Sequence, residues 1–181
     1  MNKKNLRNFL KEDKKNYNCD DFFHFIYYWM INEKKYQFYT VLKTVRKFQY
    51  YKERNSIIAK VLKIFYLRRF NILSQKYRIY IKSDVGHNLK IWHENIIINK
   101  SAKIGDNVQL HGNNCIGNNG KDLEKCPKIG NNVEIGYGAT IIGNIEIADG
   151  IIIGANSLVN KSFLESNVII AGNPANIIKK R

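Results

Sequence analysis

The sequence predicts a mainly β fold, a coil of short parallel strands with three flat sides per turn, preceded by an α-helical region. Three observations predict it. Aliphatic residues stand at 129, 135, 141, 147, 153 and 159, a beat of six that neither a helix nor a half-buried strand requires. Glycine, asparagine and aspartate fill the places between. The first 80 residues lack this beat and carry helix-spaced apolar residues in a basic, aromatic setting.

The N-terminal region is set apart by charge. Residues 1–80 hold 19 Lys/Arg against 6 Asp/Glu and 19 of the 22 aromatic residues, whereas residues 81–181 hold 11 cations against 9 acids. The organisation expected is therefore a basic, aromatic-rich α-helical region over 1–78, a coil over 79–163 and a tail over 164–181. Asp20-Asp21 and Asn55-Ser56 read as helix starts, because a short polar side chain accepts from backbone N–H groups left free in a first turn. Phe38, Val41, Leu42 and Val45 follow the i, i+3, i+4, i+7 rule, as do Ile58, Val61, Leu62 and Phe65. They predict two or three amphipathic helices over 20–76.

The cations and aromatic rings around these helices suit a solvated face or contact with an anionic membrane surface. No recognised nucleic-acid motif is present, so nucleic acid is not expected as a partner. The run "FFHFIYYWMI" is too short to span a bilayer, and the opening "MNKKNLRNFLKEDKKNYN" has no apolar signal core. Cys19, Cys115 and Cys126 fit neither a paired disulfide framework nor a Cys-x-x-Cys zinc pattern. A cytoplasmic protein, peripheral at the inner face of the membrane at most, is expected.

The six-residue beat runs backwards from 129. Val85 and Ile91 begin it, one residue is inserted, and Ile98, Ile104, Leu110 and Ile116 continue it. The excursion "GNNGKDLEKCPK" then precedes Ile129. Four places after each later aliphatic come Val133, Ala139, Ile145, Ile151, Ser157 and Phe163, small or apolar. One inward aliphatic on each side, stacked on its counterpart eighteen residues later, fills a triangular tube. Gly, Asn and Asp supply the tight corners, since they best tolerate positive φ.

This pattern resembles the hexapeptide-repeat acyltransferases, and the resemblance implies a left-handed parallel β-helix. Within that group, residues 81–181 are similar to serine O-acetyltransferases and, more closely, to the related O-acetyltransferases of bacterial surface polysaccharides. The segment "SDVGHNLKIWHENIIINKSAKIGDNV" matches a motif in which a histidine precedes an aliphatic trio and an "AxIG" rung. The excursion matches a Gly-Lys loop leading to a Pro-Lys-Ile rung, and "AGNPANIIKK" a Gly-x-Pro-Ala tail that closes over coenzyme A.

The resemblance implies acetyl-CoA as cosubstrate, a homotrimer, and His93 as general base, with His111 one coil above it as a second catalytic candidate. Asp84 and Glu94 both qualify as a carboxylate to orient His93, and His87 reads as structural. Gly138 and Ala139 would contact the pantetheine arm, with Ala155 in the next coil of the same wall. Lys161 would lie near the phosphates, Pro174 against adenine, and Lys179 near a phosphate. No metal is expected, because the histidines lack a His-x4-His spacing.

One departure shapes the expected acceptor. Where serine acetyltransferases carry a second histidine before the Pro-Lys-Ile rung, this chain has Cys126, with Lys125 beside it. That loss favours a glycan or sugar hydroxyl, and hence an O-acetyltransferase of surface or capsular polysaccharide assembly. Serine O-acetylation is the alternative. A non-catalytic β-helix scaffold binding an anionic partner is another.

Overall fold

Among the described residues, four helices lie before 79 and fourteen strands from 79 onward. The computed structural model describes residues 2–120 and 122–180, in two compact units, Met1–Arg78 and Ile79–Arg181. In the first unit, α1 (Lys3–Asn16), α2 (Phe22–Met30) and α4 (Ile57–Tyr77) each pack on α3 (Lys34–Lys52). Asp21 and Ser56 are N-caps: Asp21 Oδ2 accepts from the His24 N–H at 2.9 Å, and Ser56 Oγ from that of Ala59 at 3.2 Å. Phe38, Val41, Leu42 and Val45 are buried on α3. Beneath them, Arg46 Nε donates to Asp13 Oδ2 at 3.1 Å with both side chains fully buried, which locks α1 to α3.

Two expectations about this unit are corrected. The helix α1 begins upstream of the predicted span, capped by Asn2, whose Oδ1 accepts from the Asn5 N–H. The apolar stripe of α4 is not its buried face: Ile58 is 73% and Phe65 52% exposed, and the helix packs through Ala59, Phe70 and Ser74 instead. Apolar residues lie on more than one side of α4, so periodicity alone did not single out the packed face.

The second unit is the expected three-sided coil. Its first face stacks β1 (Ile79–Ile81), β3 (Ile96–Ile98), β6 (Cys115–Gly117), β9 (Thr140–Ile142) and β12 (Leu158–Val159). The second stacks β4 (Lys103–Ile104), β7 (Lys128–Ile129) and β10 (Glu146–Ile147). The third stacks β2 (Lys90–Ile91), β5 (Gln109–Leu110), β8 (Glu134–Ile135), β11 (Ile152–Ile153) and β13 (Val168–Gly172), closed by antiparallel β14 (Ala175–Lys180). All other pairings between these strands are parallel.

The tube is filled as the beat requires. Ile129 pairs with Ile147, Ile135 with Ile153 and Ile141 with Val159, all buried. The residues four places on, Val133, Ala139, Ile145, Ile151, Ser157 and Phe163, are buried too. Corners are held by stacked amides: Asn88 Nδ2 donates to Asn107 Oδ1 at 2.9 Å, and Asn107 Nδ2 to Asn132 Oδ1 at 3.0 Å, all three residues at positive φ. The label mainly β fits this unit alone. Its strands are two or three residues long, apart from β13 with five and β14 with six, while the helices run to 21 residues, so the whole chain is mixed.

Candidate active site

The chain turns from the third face to the first at one corner in every coil, and the candidate residues collect there. In this corner the left-handed residues Asn95, Asn113, Gly138 and Asn156 form a column. The Asn113 N–H donates to Glu94 O, that of Gly138 to Gly112 O and that of Asn156 to Tyr137 O, at 2.8 to 2.9 Å. Leu110 and Asn113 are separated by two residues, but Ile91 and Asn95 by Trp92, His93 and Glu94. The one-residue insertion read in the sequence therefore falls in the turn that carries His93, and lifts it out of the regular column.

Gly112 makes room for that bulge. A Cβ there would stand 2.5 Å from His93 Cβ and 3.2 Å from the Tyr137 ring, and its φ of +112° is left-handed. Across this gap the His93 and Tyr137 rings meet edge to face, centroids 6.2 Å apart. His93 is solvent-exposed, as an imidazole that receives a substrate proton must be.

His111 lies beside it, in register with Trp92, and their ring centroids are 5.9 Å apart. Trp92 is itself held, with Nε1 donating to Gln109 Oε1 at 3.2 Å and Lys90 Nζ 4.0 Å above its ring. His111 Nε2 is buried and 2.9 Å from Glu134 Oε1, within ion-pair reach but off the direction of a good hydrogen bond. His87 stands at a different corner, where its N–H donates to Asp106 Oδ1. Among the described residues no cluster of three or more His, Cys, Asp or Glu is placed to hold a metal ion.

The residues assigned to coenzyme A divide in two. Gly138 and Ala155 continue the His93 corner upward, Ala155 exposed. Ala139 is fully buried, its N–H donating to Gly136 O and its carbonyl accepting from the Cys115 N–H. Gly138 stands at φ +74°, the conformation asparagine takes elsewhere in the column, and a Cβ there would lie 2.1 Å from Asn156 Oδ1. The second group lies at the far end: Lys161 Nζ donates to Asn176 Oδ1 at 2.6 Å, Asn176 Nδ2 donates to Pro174 O, and Lys179 is exposed on β14. Ser157 Oγ, accepting from the Gly172 N–H, ties the corner to that turn. From the His93 turn to Gly172 the column climbs four coil steps, roughly 19 Å at ~4.8 Å per step.

A cleft of about 740 Å³ opens on the first face just past this corner, lined by Tyr80, Lys82, Ile97, Cys115, Leu123 and Glu124 among others. In the excursion beside it, Lys125 Nζ is 3.2 Å from Asp122 Oδ2. Asp122 is lowered below the usual carboxylate range by the Glu124 N–H and by Lys125. The lysine of the Gly-Lys loop, Lys121, lies outside the described residues. Cys126 is 5% exposed, and burial, aided by Glu124 and Asp122, pushes its thiol up; burial does the same to Cys115. A raised thiol is a poor nucleophile at neutral pH.

Gly112, Tyr137 and Glu134 were not singled out from the sequence. Only the coil register brings them to His93 and His111, and the inserted residue hides that register from a simple count.

No family model matches the chain. A serine acetyltransferase of Staphylococcus epidermidis (strain ATCC 35984) is 35% identical over 132 residues, which are 72% of this chain and 59% of that protein. The crystal structure of serine acetyltransferase from Brucella abortus strain S19 matches at TM-score 0.67 and 30% identity, over 80% of this chain and 57% of that one. The structure of the Brucella abortus enzyme in complex with coenzyme A matches at TM-score 0.65 and 28% identity, over 80% and 56%. The chain thus spans less than two thirds of the length of these relatives. In sequence and in fold it is serine acetyltransferase-like, a hexapeptide-repeat β-helix preceded by helices, and the left-handed winding rests on that likeness.

The expectation of a glycan acceptor in polysaccharide or capsule assembly is overturned by these relatives, which are named for serine. Cys126, which replaces the serine-site histidine, is buried, so its identity does not by itself select a glycan acceptor.

Proposed function

We propose that this chain is a serine O-acetyltransferase, moving the acetyl group of acetyl-CoA to the hydroxyl of L-serine. The observation that carries the reading is the His93 turn, an exposed imidazole lifted by an inserted residue over Gly112 in a serine acetyltransferase-like coil. His93 takes the proton from the serine Oγ as that oxygen attacks the thioester carbonyl. Backbone N–H groups stabilise the oxyanion. Collapse breaks the C–S bond, and the proton passes from the imidazole to the departing thiolate, giving O-acetylserine and coenzyme A. The cosubstrate lies up the same corner past Gly138 and Ala155, its phosphate end toward Lys161, Pro174 and Lys179.

The test is transfer of labelled acetyl from acetyl-CoA to L-serine by the purified chain and by His93→Ala. Label in O-acetylserine, reduced about 10²- to 10⁴-fold in the variant with acetyl-CoA binding retained, supports the reading. Failure of the intact chain to label serine, or equal turnover by the variant, overturns it.

A further inference from the structure

An amino-acid acceptor is a zwitterion, so a site selective for it needs a cation for its carboxylate and an anion for its ammonium. Among the described residues of the excursion, the cation is already paired with a carboxylate. Cys126 is buried with its thiol raised, and Lys125 is engaged by Asp122. The third face, where it runs into the His93 corner, holds another pair. His111 Nε2 and Glu134 Oε1 are 2.9 Å apart, with side chains 34% and 39% exposed, beside the bulged His93 turn.

We propose that His111 and Glu134 anchor the amino-acid acceptor, as specificity-determining residues of the reaction proposed above, on which this inference rests. His111 Nε2 is buried against Glu134, so Nδ1 is the nitrogen left for a ligand. With Nδ1–H donating, the imidazole reaches the acceptor carboxylate from its place beside Glu134. Glu134 Oε2 takes the ammonium. Trp92, fixed by Gln109 and Lys90, closes the opposite side of the imidazole and keeps its ring from turning away. The neighbouring corner position in the next coil is Gly136, which leaves the Glu134 side of the pair free of a bulky side chain. The acceptor is thereby held across the two coils above the His93 turn, with its hydroxyl directed to that imidazole.

The test uses functional-group deletion on both partners. The intact chain, His111→Gln and Glu134→Gln are assayed with L-serine, with ethanolamine, which lacks the carboxylate, and with 3-hydroxypropionate, which lacks the ammonium. The expected result is a rise of ten-fold or more in KM for L-serine in each variant, with kcat changed less than three-fold and KM for acetyl-CoA unchanged. His111→Gln should narrow the preference for L-serine over ethanolamine, and Glu134→Gln that over 3-hydroxypropionate, each by at least ten-fold. Circular dichroism and acetyl-CoA binding identify a variant that has merely lost its fold, and His111→Asn and Glu134→Asp then take its place. Unchanged KM and unchanged preferences in folded variants overturn the inference. So does a loss confined to kcat, which would make the pair part of proton transfer. If the intact chain acetylates no serine at all, it is the parent reading that has failed, a result the wild-type arm reports by itself.

Discussion

At the scale of single residues, the site turns on what is absent at position 112. Any side chain there would begin 2.5 Å from His93 Cβ and would have to adopt φ near +112°. Both demands fall on backbone and Cβ atoms, which cannot swing away as a long side chain can. Gly112→Ala should therefore push the His93 turn outward and cut acetyl transfer at least ten-fold, with the β-helix still formed by circular dichroism. Activity within two-fold of the intact chain would show that the turn adapts and that the bulge does not position His93. His93 was singled out in the sequence because its motif is local. Gly112 and Tyr137, 19 and 44 positions further on, were not, because their meeting depends on how successive coils register. Cys126 shows the opposite error: its identity was legible, but its burial was not.

At the scale of elements, α1 and α3 are joined by an ion pair that neither helix reveals alone. Asp13 and Arg46 lie on separate segments 33 positions apart, and no local pattern marks either as buried. In the fold both are fully buried, with Arg46 also 4.8 Å from the centre of the Phe9 ring. Removing one member strands the other charge away from water. Asp13→Ala should cost the helical unit about 3–5 kcal/mol, whereas Asp13→Leu with Arg46→Met should restore much of that. Urea unfolding followed by far-ultraviolet circular dichroism measures both. A single variant within 1 kcal/mol of the parent would mean that solvent reaches the pair. The helix starts at Asp21 and Ser56 were legible because capping is a local hydrogen bond. The packed face of α4 was not, since its apolar residues exceed what α3 covers and only tertiary contact selects among them.

At the scale of the whole molecule, the two units keep different kinds of order. The helical unit is assembled from contacts between distant segments, so periodicity marked the buried stripe of α3 but not the packed face of α4. The coil repeats one local rule, and for that reason its three faces, its inward residues and the place of its insertion were all written in the sequence. Such a stack has near-neighbour energetics: each rung contacts the coils before and after it, and little else. Ile135, fully buried between Leu110 and Ile153 on the third face, is a rung of this kind. Ile135→Ala should remove about 2–5 kcal/mol from the coil, because neighbouring strands are fixed at their spacing and cannot close the void. The exposed Lys128 on the second face should tolerate Ala within about 0.5 kcal/mol. The two tryptophans, Trp29 and Trp92, divide between the units, so in a Trp29→Phe background the fluorescence of Trp92 reports the coil alone. A lower denaturant midpoint for Ile135→Ala and an unmoved one for Lys128→Ala are the expected pair. Equal midpoints for the two would mean that the tube is not held by its stacked aliphatic residues, and the six-residue beat would then need another physical cause.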